Sequence, residues 1–120
     1  MTALKASFPR TSRIKLASEI RSVLRNGNSV RNQTITVYVQ ERNSKTGSRL
    51  GIIVSKRVFK KAVDRNRVKR IVREFFRTSC CRTRIGYDVI VRFVKDHNLL
   101  QGNNLRDSLN QLFTRSGIMK

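Results

Sequence analysis

The stretch VDRNRVKRIVREFFR, Val63 to Arg77, decides how this chain is to be read. It holds five arginines and one lysine against Asp64 and Glu74. It also holds Val68, Ile71, Val72, Phe75 and Phe76, side chains for which a solvated basic tail has no use. Wound at about 100° per residue, those five apolar residues fall within an arc of about 140°. Asn66, Lys69, Arg70, Arg73 and Arg77 fall on an opposing stripe about 100° wide. Arg67 and Glu74 flank the stripe, and Arg65 lies close to the apolar border. The stretch therefore reads as an amphipathic helix with a cationic face, and Asp64 suits its start.

Upstream, RLGIIVS (Arg49 to Ser55) is nearly all apolar and reads as a strand buried on both faces. TITVYVQ (Thr34 to Gln40) alternates and is rich in β-branched residues, a second strand signature. With NSKTGS (Asn43 to Ser48) as a turn between them, the simplest pairing is an antiparallel hairpin. Before these, Ser18 can cap a short helix carrying Ile20, Val23 and Leu24, which Asn26-Gly27-Asn28 stops. Downstream, SCCRTRIG is a connection, and GYDVIVRFV (Gly86 to Val94) is a strand. Val89, Val91 and Phe93 share one of its faces, Ile90 and Val94 the other. Asn103 or Asn104 can cap a last helix with Leu105, Leu109, Leu112 and Phe113 as its seam, and Gly117 suits its C-terminal turn. The order helix, strands, helix, strand, helix predicts an α/β fold with helices packed on a small sheet.

The 120 residues are expected to form one domain over 1–120, with an irregular basic segment at 1–16. Lys and Arg number 27 and Asp and Glu 7, a net charge of +20, so the partner expected is a polyanion. The apolar runs are far too short to span a bilayer, which disfavours a membrane and leaves nucleic acid. MTALKASFPR shows no signal-peptide apolar region, and the expected compartment is the cytoplasm. Cys80 and Cys81 are adjacent; they cannot close an ordinary structural disulfide and lack metal-ligand spacing. The one histidine, His97, reads as a loop residue.

Little in the sequence points to protein-borne catalysis. The acids Glu19, Glu41, Asp64, Glu74, Asp88, Asp96 and Asp107 form no close pair, and there is neither a phosphate-cradling glycine loop nor a nucleophile elbow. Binding is better supported. Lys69, Arg70, Arg73 and Arg77 on successive turns make a ridge several phosphates long, and Arg supplies a fork that fits phosphate oxygens. Tyr38 and Phe93 on strands could stack bases, though strand aromatics more often belong to a core. Ser55-Lys56-Arg57 ends a strand where a loop begins, a frequent place for function.

The run Arg65-Asn66-Arg67-Val68-Lys69-Arg70-Ile71-Val72-Arg73 resembles the signature of the bacterial ribonuclease P protein component. Gly51-Ile52-Ile53-Val54-Ser55-Lys56-Arg57 resembles the strand that precedes that signature. Phe8-Pro9-Arg10, Arg13-Ile14, Gly86-Tyr87-Asp88-Val89-Ile90-Val91 and Leu109-Asn110-Gln111-Leu112-Phe113 extend the likeness in order over about residues 8 to 116. The resemblance implies an α/β (α+β) sandwich with a mostly antiparallel sheet of about four strands, three helices and a left-handed βαβ crossover, of a kind also found among ribosomal proteins. It implies a ribonucleoprotein that removes the 5′ leader from precursor tRNA, with the active site and its Mg²⁺ in the RNA subunit. By position, Arg65, Asn66, Arg67, Lys69, Arg70 and Arg73 would bind RNA, with Lys56 and Arg57 beside them. Arg13 and Tyr38 would line a cleft for the leader. Ile20 and Leu24 stand where members commonly carry phenylalanines, so base stacking from the first helix is not expected. The other readings are a structural RNA-binding protein, such as a ribosomal protein, and a nuclease acting without RNA.

Overall fold

The computed structural model describes residue 14 and residues 17–42, 48–79 and 86–116. Seven elements follow in order: α1 (Ala17–Asn26), β1 (Asn28–Arg31), β2 (Ile35–Arg42), β3 (Arg49–Ile53), α2 (Ala62–Ser79), β4 (Gly86–Phe93) and α3 (Asn104–Ser116). The strands form one mixed sheet in the order β1-β2-β4-β3. β1 pairs antiparallel with β2, β2 antiparallel with β4, and β3 parallel with β4. α2 is thus the crossover helix of a parallel β3–α2–β4 unit.

The hairpin expected between β2 and β3 does not form, because β4 lies between them. Burial explains the choice. β4 sends Val89, Val91 and Phe93 to one face and Ile90 to the other, all buried. A strand buried at this many positions gains most at the centre of a sheet, with a paired strand along each edge. β3 is left at the edge, with Ile52 and Ile53 only half-buried instead of enclosed on both faces. The expectation for Val94 also fails: it follows the strand and is 47% exposed. β1 was not legible at all, since Asn28-Ser29-Val30-Arg31 has one apolar residue and hence no alternation.

On the first face, α2 and α3 cover a core built from Ile35, Val37, Val39, Leu50, Val89, Val91 and Phe93. α2 contributes Val68, Val72 and Phe76 fully buried, with Ile71 and Phe75 half-buried; the buried stripe is turned toward Phe76, which the wheel puts at the edge of the apolar arc, and away from Phe75, which the wheel puts near its centre. α3 contributes Leu105, Leu109, Leu112 and Phe113. The Phe75 and Phe113 rings meet edge to face at 5.2 Å, which locks the two helices together. The second face is thinner. Val23 of α1, with half-buried Ile20 and Leu24, packs with Ile14 over Ile90, Tyr38 and Ile53.

Two local devices set the geometry of that second face. The amide of Gly27 donates to the Val23 carbonyl at 2.9 Å, ending α1. A Cβ on Gly27 would lie 2.6 Å from that oxygen and 2.9 Å from the Val39 oxygen, so only glycine lets the chain pass this close to β2. Between β1 and β2, Asn32 Oδ1 accepts from the amides of Thr34 and Ile35, both at 2.8 Å, and from Thr34 Oγ1 at 2.9 Å. This side-chain turn closes a short loop and fixes the β1–β2 register. His97 is exposed in the loop before α3, where it and Asn98 adopt positive φ.

Candidate nucleic-acid interface

The register of the strands lays the second face out in rows. Arg31, Thr36, Arg92 and Ile53 are successive Cα partners across the sheet and form the first row. Ser29, Tyr38, Ile90 and Gly51 form the second. Gln40, Asp88 and Arg49 form the third. α1 lies over the second and third rows. Among the described residues the first row apart from Ile53, that is Arg31, Thr36 and Arg92, is not covered by α1, and the row becomes the floor of a groove of about 770 Å³. Its lining includes Arg31, Tyr38, Arg92, Lys56 and Arg57, four cations around one aromatic ring. Such a groove suits a single nucleic-acid strand: cations for the phosphates, a ring for a base.

The third row ties down α1. Arg49 donates from Nε to Asp88 Oδ1 at 2.9 Å and from Nη2 to Asp88 Oδ2 at 2.8 Å, a bidentate fork. Its Nη1 reaches Glu19 of α1 at 3.1 and 3.3 Å. The hydrogen bond to Asp88 is the largest influence raising the Arg49 pKa above its ordinary value; Glu19 adds to it and burial opposes it. Ser22 of α1 donates to Gln40 at 3.5 Å. Two of the chain's seven acids thus converge on one arginine, away from the open groove.

The second cationic surface is the outer side of α2. Asn66, Arg67 and Arg70 are exposed, and Lys69, Arg73 and Arg77 are half-buried beside them. Between groove and ridge runs the segment 55–61, with exposed Lys56, Arg57, Lys60 and Lys61. Ser55 O accepts from the amides of Val58 and Phe59 at 3.2 and 3.1 Å, which turns the chain. Phe59, 2% exposed, plants the turn in the core against Phe93, with ring centroids 6.0 Å apart.

Of the residues singled out in the sequence, Tyr38, Lys56 and Arg57 meet in the groove, and Asn66, Arg67, Lys69, Arg70 and Arg73 lie along the outer side of α2. Arg65 differs: its side chain turns back to the preceding loop and donates to the carbonyls of Phe59 and Lys60. Arg13, the turn at 43–47, Cys80, Cys81 and Gly117 lie outside the described residues. Arg31 and Arg92 were missed. Arg92 follows Ile90 by two on the same face, so alternation would have found it; Arg31 sits on a strand with no sequence signal. Among the described residues, no three of His, Cys, Asp and Glu gather to hold a metal ion, and no helix is long and apolar enough to cross a membrane.

A mixed sheet with a cationic groove on one face and a cationic helix outside the other defines a small α/β RNA-binding protein. The family model for ribonuclease P matches residues 8–117. The ribonuclease P protein component of Clostridium kluyveri is 36% identical over 110 residues, covering 90% of this chain and 96% of that one. Among solved structures, a mutant RNase P protein of Staphylococcus aureus superposes with a TM-score of 0.78 at 28% identity, covering 92% of each chain. The RNase P protein of Thermotoga maritima gives 0.73 at 30% identity, covering 86% of this chain and 96% of that one. The chain belongs to the ribonuclease P protein family, the protein subunits of the ribonucleoprotein that processes the 5′ end of tRNA.

Proposed function

We propose that this subunit binds the ribonuclease P RNA through the outer side of α2 and the 5′ leader of precursor tRNA through the groove. Asn66, Arg67, Lys69, Arg70 and Arg73 meet the RNA subunit; Tyr38, Arg31, Arg92, Lys56 and Arg57 receive the leader, and Arg13 is assigned to the leader by the family resemblance alone. Residues 1–120 work as one RNA-binding domain in the cytoplasm. The reaction is hydrolysis of the phosphodiester that joins leader to tRNA. Its active site lies in the RNA, with Mg²⁺ held mainly by RNA and substrate, and no step is assigned to a protein-bound metal. The protein acts by binding: cations on two surfaces lower the repulsion between two polyanions and hold the leader in place.

The observation that carries this reading is the continuity of groove and ridge through the basic 55–61 turn, which lets one small protein touch two RNAs at once. The test is cleavage of precursor tRNA at low Mg²⁺ with the RNA subunit alone, the protein alone, and both. Cleavage to a mature 5′ end only, or far faster, with both is the expected result. No enhancement by folded protein would favour a structural RNA binder, and cleavage by the protein alone would place an active site in this chain.

A further inference from the structure

The signature places Arg65 among the RNA ligands, but its side chain has other partners. One nitrogen, Nη1, donates to the Phe59 carbonyl at 2.8 Å and to the Lys60 carbonyl at 3.0 Å. Two successive carbonyl oxygens that point at one spot repel unless a donor sits between them, and a cationic donor serves best. The same residue's amide donates to the Lys61 carbonyl at 3.1 Å in the first turn of α2. Arg65 therefore grips three consecutive carbonyls of the segment that leads into its own helix.

That segment is the rim of the groove. It begins at Ser55, whose carbonyl closes the turn, and it carries Lys56, Arg57 and Val58 into the groove lining. Phe59 anchors it from beneath and Arg65 from the helix side. α2 is a stiff rod with the ridge on its outer side. The grip of Arg65 fixes the angle and distance between rim and ridge, and so between the two RNAs.

We propose that Arg65 is a positioning residue, which sets the groove rim against the α2 ridge and is not itself a phosphate ligand. The proposal deepens the two-surface reading above and rests on it for its biological meaning. A phosphate ligand and a positioning residue differ in salt dependence. Removing one phosphate contact lowers the slope of log affinity against log salt by roughly 0.7 to 0.9, whereas loss of positioning lowers affinity and leaves the slope in place.

The experiment compares Arg65→Met with Arg70→Met. Binding is titrated with salt on ribonuclease P RNA and on an unrelated structured RNA of equal length, and amide exchange is followed at Val58 and Phe59 in the free protein. The expected result is a wild-type slope for Arg65→Met on both RNAs, faster exchange at Val58 and Phe59, and roughly tenfold weaker binding of ribonuclease P RNA. Arg70→Met should lose roughly 0.7 to 0.9 of slope with exchange unchanged. A slope loss for Arg65→Met equal to that of Arg70→Met overturns the proposal, and so does unchanged exchange at Val58 and Phe59. Should Arg65→Met not fold, Arg65→Gln, neutral but still a donor, is read by the same slope. If the wild type does not prefer ribonuclease P RNA, the functional reading fails while slope and exchange still decide the role of Arg65.

Discussion

Replacing Arg49 by Met removes the guanidinium that joins three elements while keeping much of its aliphatic packing. The Asp88 side chain is 7% exposed and loses a bidentate partner; Glu19 is 33% exposed and can turn to water. Stripping a buried carboxylate of its cation costs about 3 to 5 kcal/mol. Arg49 is itself 18% exposed, so solvent reaches the site and the low end applies. The expected loss is about 3 kcal/mol, nearly all of it on the Asp88 side; the Glu19 contact, nearer the surface, contributes below about 1 kcal/mol. For a chain of this size the melting temperature should fall by about 12 °C. Glu19→Gln should cost no more than about 4 °C. Calorimetry on both variants at neutral pH checks the numbers. A shift below about 3 °C for Arg49→Met would refute the reasoning, because it would mean that the buried carboxylate never depended on this arginine.

The remaining predictions address core, approach and binding. Phe76→Ala removes a fully buried ring and should cost about 3 to 5 kcal/mol in denaturant unfolding, more than Phe75→Ala, whose ring is half-buried. Gly27→Ala should cost about 1 to 3 kcal/mol by the same measurement, since neither backbone oxygen near its Cβ can yield without moving α1 or β2. Lys69→Gln, Arg70→Gln and Arg73→Gln together should flatten the salt dependence of RNA binding, each lost phosphate contact removing roughly 0.7 to 0.9 of slope. Arg92→Ala should weaken binding of precursor tRNA by the assembled particle while leaving mature tRNA, which lacks the leader, unaffected; paired equilibrium titrations distinguish the two.

Most of the fold was legible because periodicity was strong where burial is deep. The α3 seam emerges with every predicted residue inside; the α2 wheel does so for Val68, Val72 and Phe76, with Ile71 and Phe75 half-buried, and the β4 alternation does so up to Phe93, with Val94 exposed. Strand order was not legible. Proximity in sequence favoured a β2–β3 hairpin, but no local pattern could show that β4 would claim the place between them. The site divided in the same way. The cations of α2 follow from their own helix. The groove depends on register between four strands, one of them without any pattern, so Arg31 and Arg92 could be joined to Tyr38 only in three dimensions. The role of Arg65 was hidden for another reason: a signature specifies a side chain, and here hydrogen bonds to main-chain carbonyls specify where it goes.

The central place of β4 has a consequence for synthesis. The ribosome makes the strands in one order and the sheet stacks them in another, so β2 and β3 both wait for the same partner. A nascent chain that ends before Gly86 already contains five of the seven elements, including the whole cationic helix, yet only the β1–β2 pairing can form. Its apolar strands have no common neighbour, and its cations ride on a helix with no platform beneath it. Such a chain carries its charge without the groove, whose floor includes Arg92 of β4. Completion of the eight residues of β4 late in translation supplies the common neighbour, and α3, made last, then closes the first layer.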